Sequence, residues 1–501
     1  MMWKSGMAVA IFAAGVVSGP NGALAADADL VTKAPPLVTP TLPATCTGVS
    51  QFFLTDCVLS WYGISVYGTV DTGGGYQTHG APFNGAYQQG ASYSIQKMNR
   101  QPMWTLAPSG VGATNIGIRG AESIGGDWKA IFQLEAGFDP YSLQLSNSAQ
   151  SLFDNKGVPL NQQSANSDSS RGGQFYNSVG FVGVSSPTYG TLTFFRQNSL
   201  TLDAFAAYDP LALSYAFSQI GFQSTGTGAG ITDTARASTS VKYRYQYGDF
   251  RAAVLYQFGG YELNNGADSA VQLQLGGDIQ HLGPGTLSLD AIYSYEKDAA
   301  SLTLGGGTTN LAGVPITFPG QTVTATISNN TAWVGLAKYA VGQLKLYAGY
   351  EFIDFAPPSD VPTSLQASNG AWVGAGVPLT AISGTAYSGL PGSGSDKHLQ
   401  IMWTGAKYSV SDNLDIATGY YHYIQNNFFV ATKAANCIAS SAAHSQCGGT
   451  LDAISGVIDW RFAPKWDVYA GIMYSNVNGG LSNGYLVRNN LDPTVGLRFR
   501  F

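Results

Sequence analysis

The sequence predicts an all-β fold, a transmembrane antiparallel β-barrel of sixteen strands with short turns at one end and long loops at the other. Three observations carry this expectation: the closing segment, the composition and the amino-terminal segment. At the carboxy-terminal end, Val495, Leu497, Phe499 and Phe501 share one face while Thr494, Gly496, Arg498 and Arg500 share the other, as the two-residue period of a strand requires. Two arginines cannot face a dry core, so an apolar outside surrounds a wet inside. Charged residues make up 11% of the chain, aromatic residues 12%, and Gly contributes 63 positions, whereas soluble domains carry about 25% charge. Such a balance suits a surface turned to lipid, with aromatic girdles at its two interfaces.

The amino-terminal segment agrees with export. Met1 to Lys4 supplies a positive n-region, Met7 to Val17 an apolar h-region, and Ala23-Leu24-Ala25 a small-x-small cleavage site, so residues 1–25 read as a signal peptide. No later stretch approaches the roughly 20 uninterrupted apolar residues of a membrane-spanning helix. Residues 26–58 form a Pro-rich lead with Pro35, Pro36, Pro40 and Pro43, expected to run extended outside the barrel. Residues 59–501 are the barrel.

Strands follow in order from the alternation of apolar and polar residues and from the turn residues that separate them. The first is Ser60–Asp71. Thr114–Ile124 and Trp128–Asp139 form a hairpin across Gly125-Gly126-Asp127, and Phe175–Ser185 and Thr191–Gln197 another across Pro187 to Gly190. Arg236–Tyr247, Phe250–Tyr261, Ala270–Gln280, Thr286–Lys297, Val323–Ala340 and Gln343–Phe355 continue the series. His398–Val410, Asn413–Gln425, Leu451–Phe462, Trp466–Asn476 and Asp492–Phe501 complete it. Short turns such as Gly248–Asp249 alternate with long segments such as Thr72–Ala113 and Ala356–Lys397, which places both termini at the periplasmic end.

Within strands one face is greasy and the other carries charge. Val241, Tyr243, Tyr245 and Tyr247 alternate with Ser240, Lys242, Arg244 and Gln246; Leu289, Ala291, Tyr293 and Tyr295 alternate with Ser288, Asp290, Ser294 and Glu296. Sixteen strands leave an aqueous lumen rather than a packed core.

The cysteines fall into two local pairs, Cys46 with Cys57 and Cys437 with Cys447. Close spacing and an exported address predict two disulfides that staple loops, with free thiols as the alternative. The five histidines, His79, His281, His398, His422 and His444, show no metal-ligand spacing, and no cofactor is called for. A net charge of -6 without a basic stripe excludes a nucleic-acid partner. Gly226–Gly230 lacks the strand-to-helix setting and lysine of a phosphate loop. An outer-membrane barrel enzyme would need a nucleophile with its base, and no Gly-x-Ser-x-Gly elbow is present; a surface adhesin or structural barrel would place its function in the Ser-, Thr-, Gly- and Asn-rich loops.

Asn115-Ile-Gly-Ile-Arg-Gly-Ala-Glu-Ser-Ile-Gly-Gly-Asp-Trp-Lys-Ala-Ile-Phe-Gln-Leu-Glu135, then Val182 to Gln197, then Ser240-Val-Lys-Tyr-Arg244 resemble in order the general Gram-negative porin family. The lead with its Cys46 and Cys57 is similar to that of some alphaproteobacterial porins. The resemblance implies a homotrimeric outer-membrane channel for passive diffusion of ions and small hydrophilic solutes, set among outer-membrane lipid and lipopolysaccharide. It also implies that the third external loop, 198–235, folds into the lumen as a constriction. Its acids Asp203, Asp209 and Asp233 would face basic residues on the opposite wall. Arg236 matches the family pattern, and Arg119, Lys129, Arg196, Lys242 and Arg244 join it as pore-lining candidates. Asn115, Ser178 and Thr69 stand where the family has basic residues, which predicts a weakened transverse field.

Overall fold

The computed structural model describes residues 45–79, 100–143, 145, 175–221, 236–259, 269–297, 301–304, 307–311, 314–318, 323–326, 329–356, 397–427, 448–482 and 487–501. Alternating side chains fold it into a closed antiparallel barrel of sixteen strands. These are β1 (Ile64–Gln77), β2 (Asn115–Gly125), β3 (Trp128–Gly137), β4 (Gly180–Ser186), β5 (Gly190–Asn198), β6 (Arg236–Tyr247), β7 (Phe250–Gln257) and β8 (Ser269–Leu282). The second half comprises β9 (Gly285–Lys297), β10 (Asn329–Val341), β11 (Leu344–Ala356), β12 (Lys397–Ser411), β13 (Leu414–Gln425), β14 (Gly449–Ala463), β15 (Trp466–Gly479) and β16 (Asn489–Arg500). Each strand pairs with its neighbour in sequence, and β1 closes on β16 with Thr69 opposite Arg500 and Gly75 opposite Thr494. Closure leaves no open edge, so every strand's backbone groups can be satisfied inside a membrane.

The short turns sit where the alternation stops. Gly126, Gly248 and Gly342 have φ of 60°, 56° and 55°, the left-handed backbone that tight hairpin turns need. Several expected boundaries move: β1 runs on to Gln77 rather than Asp71, β4 begins at Gly180 rather than Phe175, and β7 ends at Gln257 rather than Tyr261. Tyr62 and Gly63 turn with φ of 46° and 77°, so Leu59–Trp61 folds back onto Ile64 to Val66 and the barrel strand begins later than Ser60. Val323–Thr326 pairs instead with Ser301–Leu304 in a separate hairpin, and β10 begins at Asn329.

Outward faces carry the apolar residues: Leu275, Trp333, Ile454, Ile458 and Trp460 are all exposed, a surface of the kind lipid covers. The inner face departs from the expectation of a uniformly wet wall. On β9 to β15, Ile292, Val334, Leu336, Ile353, Ile401, Trp403, Tyr421 and Met473 point inward and are buried, in one cluster with Phe205, Tyr208, Leu211, Phe217 and Ile220. Those last five belong to residues 199–221, which lie inside the barrel along this wall. The core of the molecule is therefore the seam between an inward-folded loop and half of the barrel.

The lead's last residues are not extended. Cys46 and Cys57 are bonded around α1 (Val49–Leu54), which docks on the periplasmic rim. Phe52 packs edge-on against Phe499 and Phe501, with ring centroids 5.6 and 5.4 Å apart. Lys465 donates to the carbonyls of Phe52 and Cys57 at 2.9 and 2.6 Å. The expected signal peptide, the Pro-rich part of the lead, and Cys437 with Cys447 lie outside the described residues.

Candidate functional site

The loop enters the lumen at a bulge in β5. Register shifts between Phe195 and Gln197, Phe195 has φ of 84°, and Arg196 turns inward. Its Nε and Nη2 donate to the carbonyls of Asn177 and Ser178 at 2.7 to 3.1 Å, and Nη1 donates to Ser238 Oγ at 2.6 Å. Expected to line the pore, Arg196 is 5% exposed and instead pins the root of the loop.

Helix α2 (Leu200–Tyr208) follows, capped by Ser199, whose Oγ accepts from Leu202 N at 3.1 Å. Such a cap contributes about 1 kcal/mol. Asp203 in its first turn accepts from Lys242 at 3.1 Å, from Asn198 at 2.9 Å and from Arg244. Burial pushes the Asp203 carboxyl up, but Lys242 and Arg244 outweigh it and hold the group below its usual range. These partners lie beside the loop's root rather than on the opposite wall, so the expected charge separation across the lumen does not arise between them. The acid is spent locally.

At the other end of α2, the Tyr208 hydroxyl donates to Asp290 and accepts from Arg251 Nη2 at 2.6 Å. Arg251 also bridges to Asp278 at 2.9 Å and to Asp290 at 2.7 Å. Burial and the Asp290 charge push the Tyr208 hydroxyl up, which keeps the proton it donates. Trp403 Nε1 donates to the Tyr208 carbonyl at 3.1 Å, and Phe205 packs edge-on against the Trp403 ring at 5.1 Å.

Asp209 ends the helix. It accepts from the Tyr421 hydroxyl at 2.6 Å and from Leu213 N at 2.7 Å, while burial pushes its carboxyl up despite these two donors. Expected to face the lumen, it is 2% exposed and fastens the loop to β13. The turn it holds places Ala212 and Leu213 at φ of 51° and 57°, two successive left-handed residues without glycine's freedom. Beyond it, Ser455 Oγ donates to the Phe217 carbonyl and Ala216 N to the Gly110 carbonyl. The described residues of the loop thus run along β6 to β15 and reach residues 107–112.

The wall that the described residues of the loop leave uncovered is β1 to β5 with β16. Arg119 is exposed there, its guanidinium 5.0 Å from the Tyr67 ring centroid. Gln133 Nε2 donates to the Tyr67 hydroxyl at 2.7 Å; that hydroxyl donates to Glu135 at 2.9 Å, and Ser178 Oγ donates to the other carboxylate oxygen at 2.5 Å. Lys129 is exposed near the periplasmic turn, and Arg236 is half-buried at the external end of β6. Asp233 lies outside the described residues. Glu135, Tyr67, Arg251 and Asp290 were not among the expected site residues. Their inward parity was legible, but nothing local in the sequence shows which inward residues a folded loop will touch.

Comparison with known proteins decides the family. The profile of the Gram-negative porins matches residues 8–428. The chain belongs to the Gram-negative porin family. It is 25% identical over 196 residues, 39% of its length, to an outer membrane porin protein of Bordetella pertussis, and that match spans 42% of the relative. Among solved structures, this porin superposes on an anion-selective porin from Comamonas acidovorans with a TM-score of 0.53 and 15% identity, over 87% of this chain and 99% of that one. It superposes on outer-membrane expressed OmpT of Vibrio cholerae with a TM-score of 0.50 and 13% identity, over 89% and 100%. At these identities the likeness is one of fold.

Proposed function

We propose that the chain forms a water-filled outer-membrane channel through which ions and small hydrophilic solutes diffuse passively. The observation that carries this reading is the loop fastened inside a closed sixteen-stranded barrel, with Arg119 and Lys129 exposed on the uncovered inner wall. A loop packed on one side only narrows a passage and leaves it open on the other. The working unit is a homotrimer in contact with outer-membrane lipid and lipopolysaccharide. The domain assignment belongs to the same reading: a cleaved signal peptide, a lead tethered by Cys46–Cys57, and a barrel whose loop 198–235 sets the constriction.

An enzymatic reading has less support. His422 Nδ1 lies 2.7 Å from Asp452 Oδ1, to which Tyr420 also donates at 2.7 Å. By strand parity all three face outward, away from any solute in the lumen. Purified protein added to a planar bilayer should give ohmic current steps that appear in threes. A folded, heat-modifiable barrel that passes no current at any voltage would overturn the channel reading.

A further inference from the structure

The two sides of the passage differ in kind. Among the described residues, the loop side chains left at least partly exposed are Leu202, Ala206, Ala212, Leu213 and Tyr215, none of them charged, with Leu213 and Tyr215 packed in part on the buried cluster behind them. Both described loop acids are withdrawn from this surface: Asp203 into its pairs with Lys242 and Arg244, Asp209 into its bonds with Tyr421 and Leu213. Ala212, the first of the left-handed pair Ala212–Leu213, is the most exposed residue of this surface. Backbone in that conformation persists only where the surroundings enforce it, and here Asp209 does so from behind.

Across the lumen the uncovered wall presents cations. Arg119 is exposed with its guanidinium over the Tyr67 ring, and Lys129 is exposed below it. The acid beside them, Glu135, is half-buried and occupied by the Tyr67 and Ser178 hydroxyls. A guanidinium resting on an aromatic ring keeps its donor edge directed outward, the geometry that receives a carboxylate. In a confined passage with low-dielectric walls, such fixed charges act strongly on a passing ion.

We propose that this channel favours monovalent organic anions with an apolar body, the carboxylates of aliphatic and aromatic acids, over equally charged acids whose body is hydroxylated. The carboxylate runs along Arg119 and Lys129 while the apolar body slides on Leu202, Leu213 and Tyr215. A hydroxylated body loses hydrogen bonds to water against Leu202, Ala206, Ala212 and Leu213, and the Tyr215 hydroxyl is the one side-chain polar group among those residues. The inference rests on the porin reading and adds the class of solute.

Bi-ionic reversal potentials of the full chain in a planar bilayer test it, with potassium cyclohexanecarboxylate against potassium shikimate, ring acids of one charge that differ chiefly in hydroxyl groups. The expected result is anion over cation preference in potassium chloride and a permeability ratio of threefold or more for the apolar acid. Leu213→Ser, with Leu202→Ser as a second variant, should bring that ratio towards one while anion preference persists. Arg119→Ser with Lys129→Ser should reduce anion preference itself. A conducting wild-type channel that is cation-selective, or that passes both acids equally, overturns the proposal and leaves the porin reading standing. Absence of any current overturns the porin reading instead.

Discussion

Asp203 shows how a single side chain can be found in sequence and still be misplaced. Its position in the third long connection was legible, and so was the inward parity of Lys242 and Arg244. Their meeting was not, because the β5 bulge at Phe195 to Gln197 changes where the loop root lies, and no pattern in the residues announces it. The pairing has a measurable consequence. Removing one partner of a buried ion pair leaves uncompensated charge; with Lys242 and Arg244 side chains 11% and 24% exposed, Asp203→Asn should cost about 2 kcal/mol. Urea unfolding of the variant in detergent checks the loss, and faster proteolysis within 199–221 locates it. Asp203 titrates below the ordinary carboxylate value of about 4. The ion pair therefore contributes fully above that value and is lost only as pH falls through the lower, folded one. Loop protection from protease should not fall between neutrality and about pH 4, since protonating Asp209, whose carboxyl is pushed up, does not weaken the fold, and it should decline below that; a decline beginning near pH 6 would contradict the pairing.

Among the elements, strands were more legible than what covers them. Alternation located β6, β9 and β11 to within a residue or two because lipid outside and water inside impose opposite demands on successive side chains. It gave no hint that Ile292, Val334, Ile401 and Met473 face a loop rather than water, since parity fixes a side and says nothing of what fills it. The short helix α1 was missed for a different reason. Six residues between two cysteines carry little helical signal, and the rings that hold it, Phe499, Phe501 and Trp466, are distant in sequence. Closing a loop of 11 residues by a disulfide contributes about 3 kcal/mol in the chain-entropy account. Replacing Cys46 and Cys57 together by Ser should therefore release α1 and lower the temperature at which the barrel shifts to its unfolded mobility. The same seam depends on Gly68, where a Cβ would meet the Phe501 ring at 2.6 Å. An unchanged transition in the Cys46→Ser, Cys57→Ser variant would mean that aromatic packing alone holds the rim.

At the scale of the whole molecule, the barrel, its closure and its family were legible because they rest on features repeated over hundreds of residues. The shape of the passage was not, because it depends on where one loop comes to rest. The structure puts the described residues of that loop on β6 to β15 and leaves the opening along β1 to β5. The most direct measurement is single-channel conductance of the Arg119→Cys variant before and after reaction with a bulky cationic thiosulfonate reagent. The passage described here places position 119 on its open wall, so full labelling, verified by mass, should remove most of the current. The same reagent offered to Ile292→Cys, beneath the loop, should change little. Undiminished current through fully labelled Arg119→Cys channels would contradict the account, for the solute path would then run elsewhere.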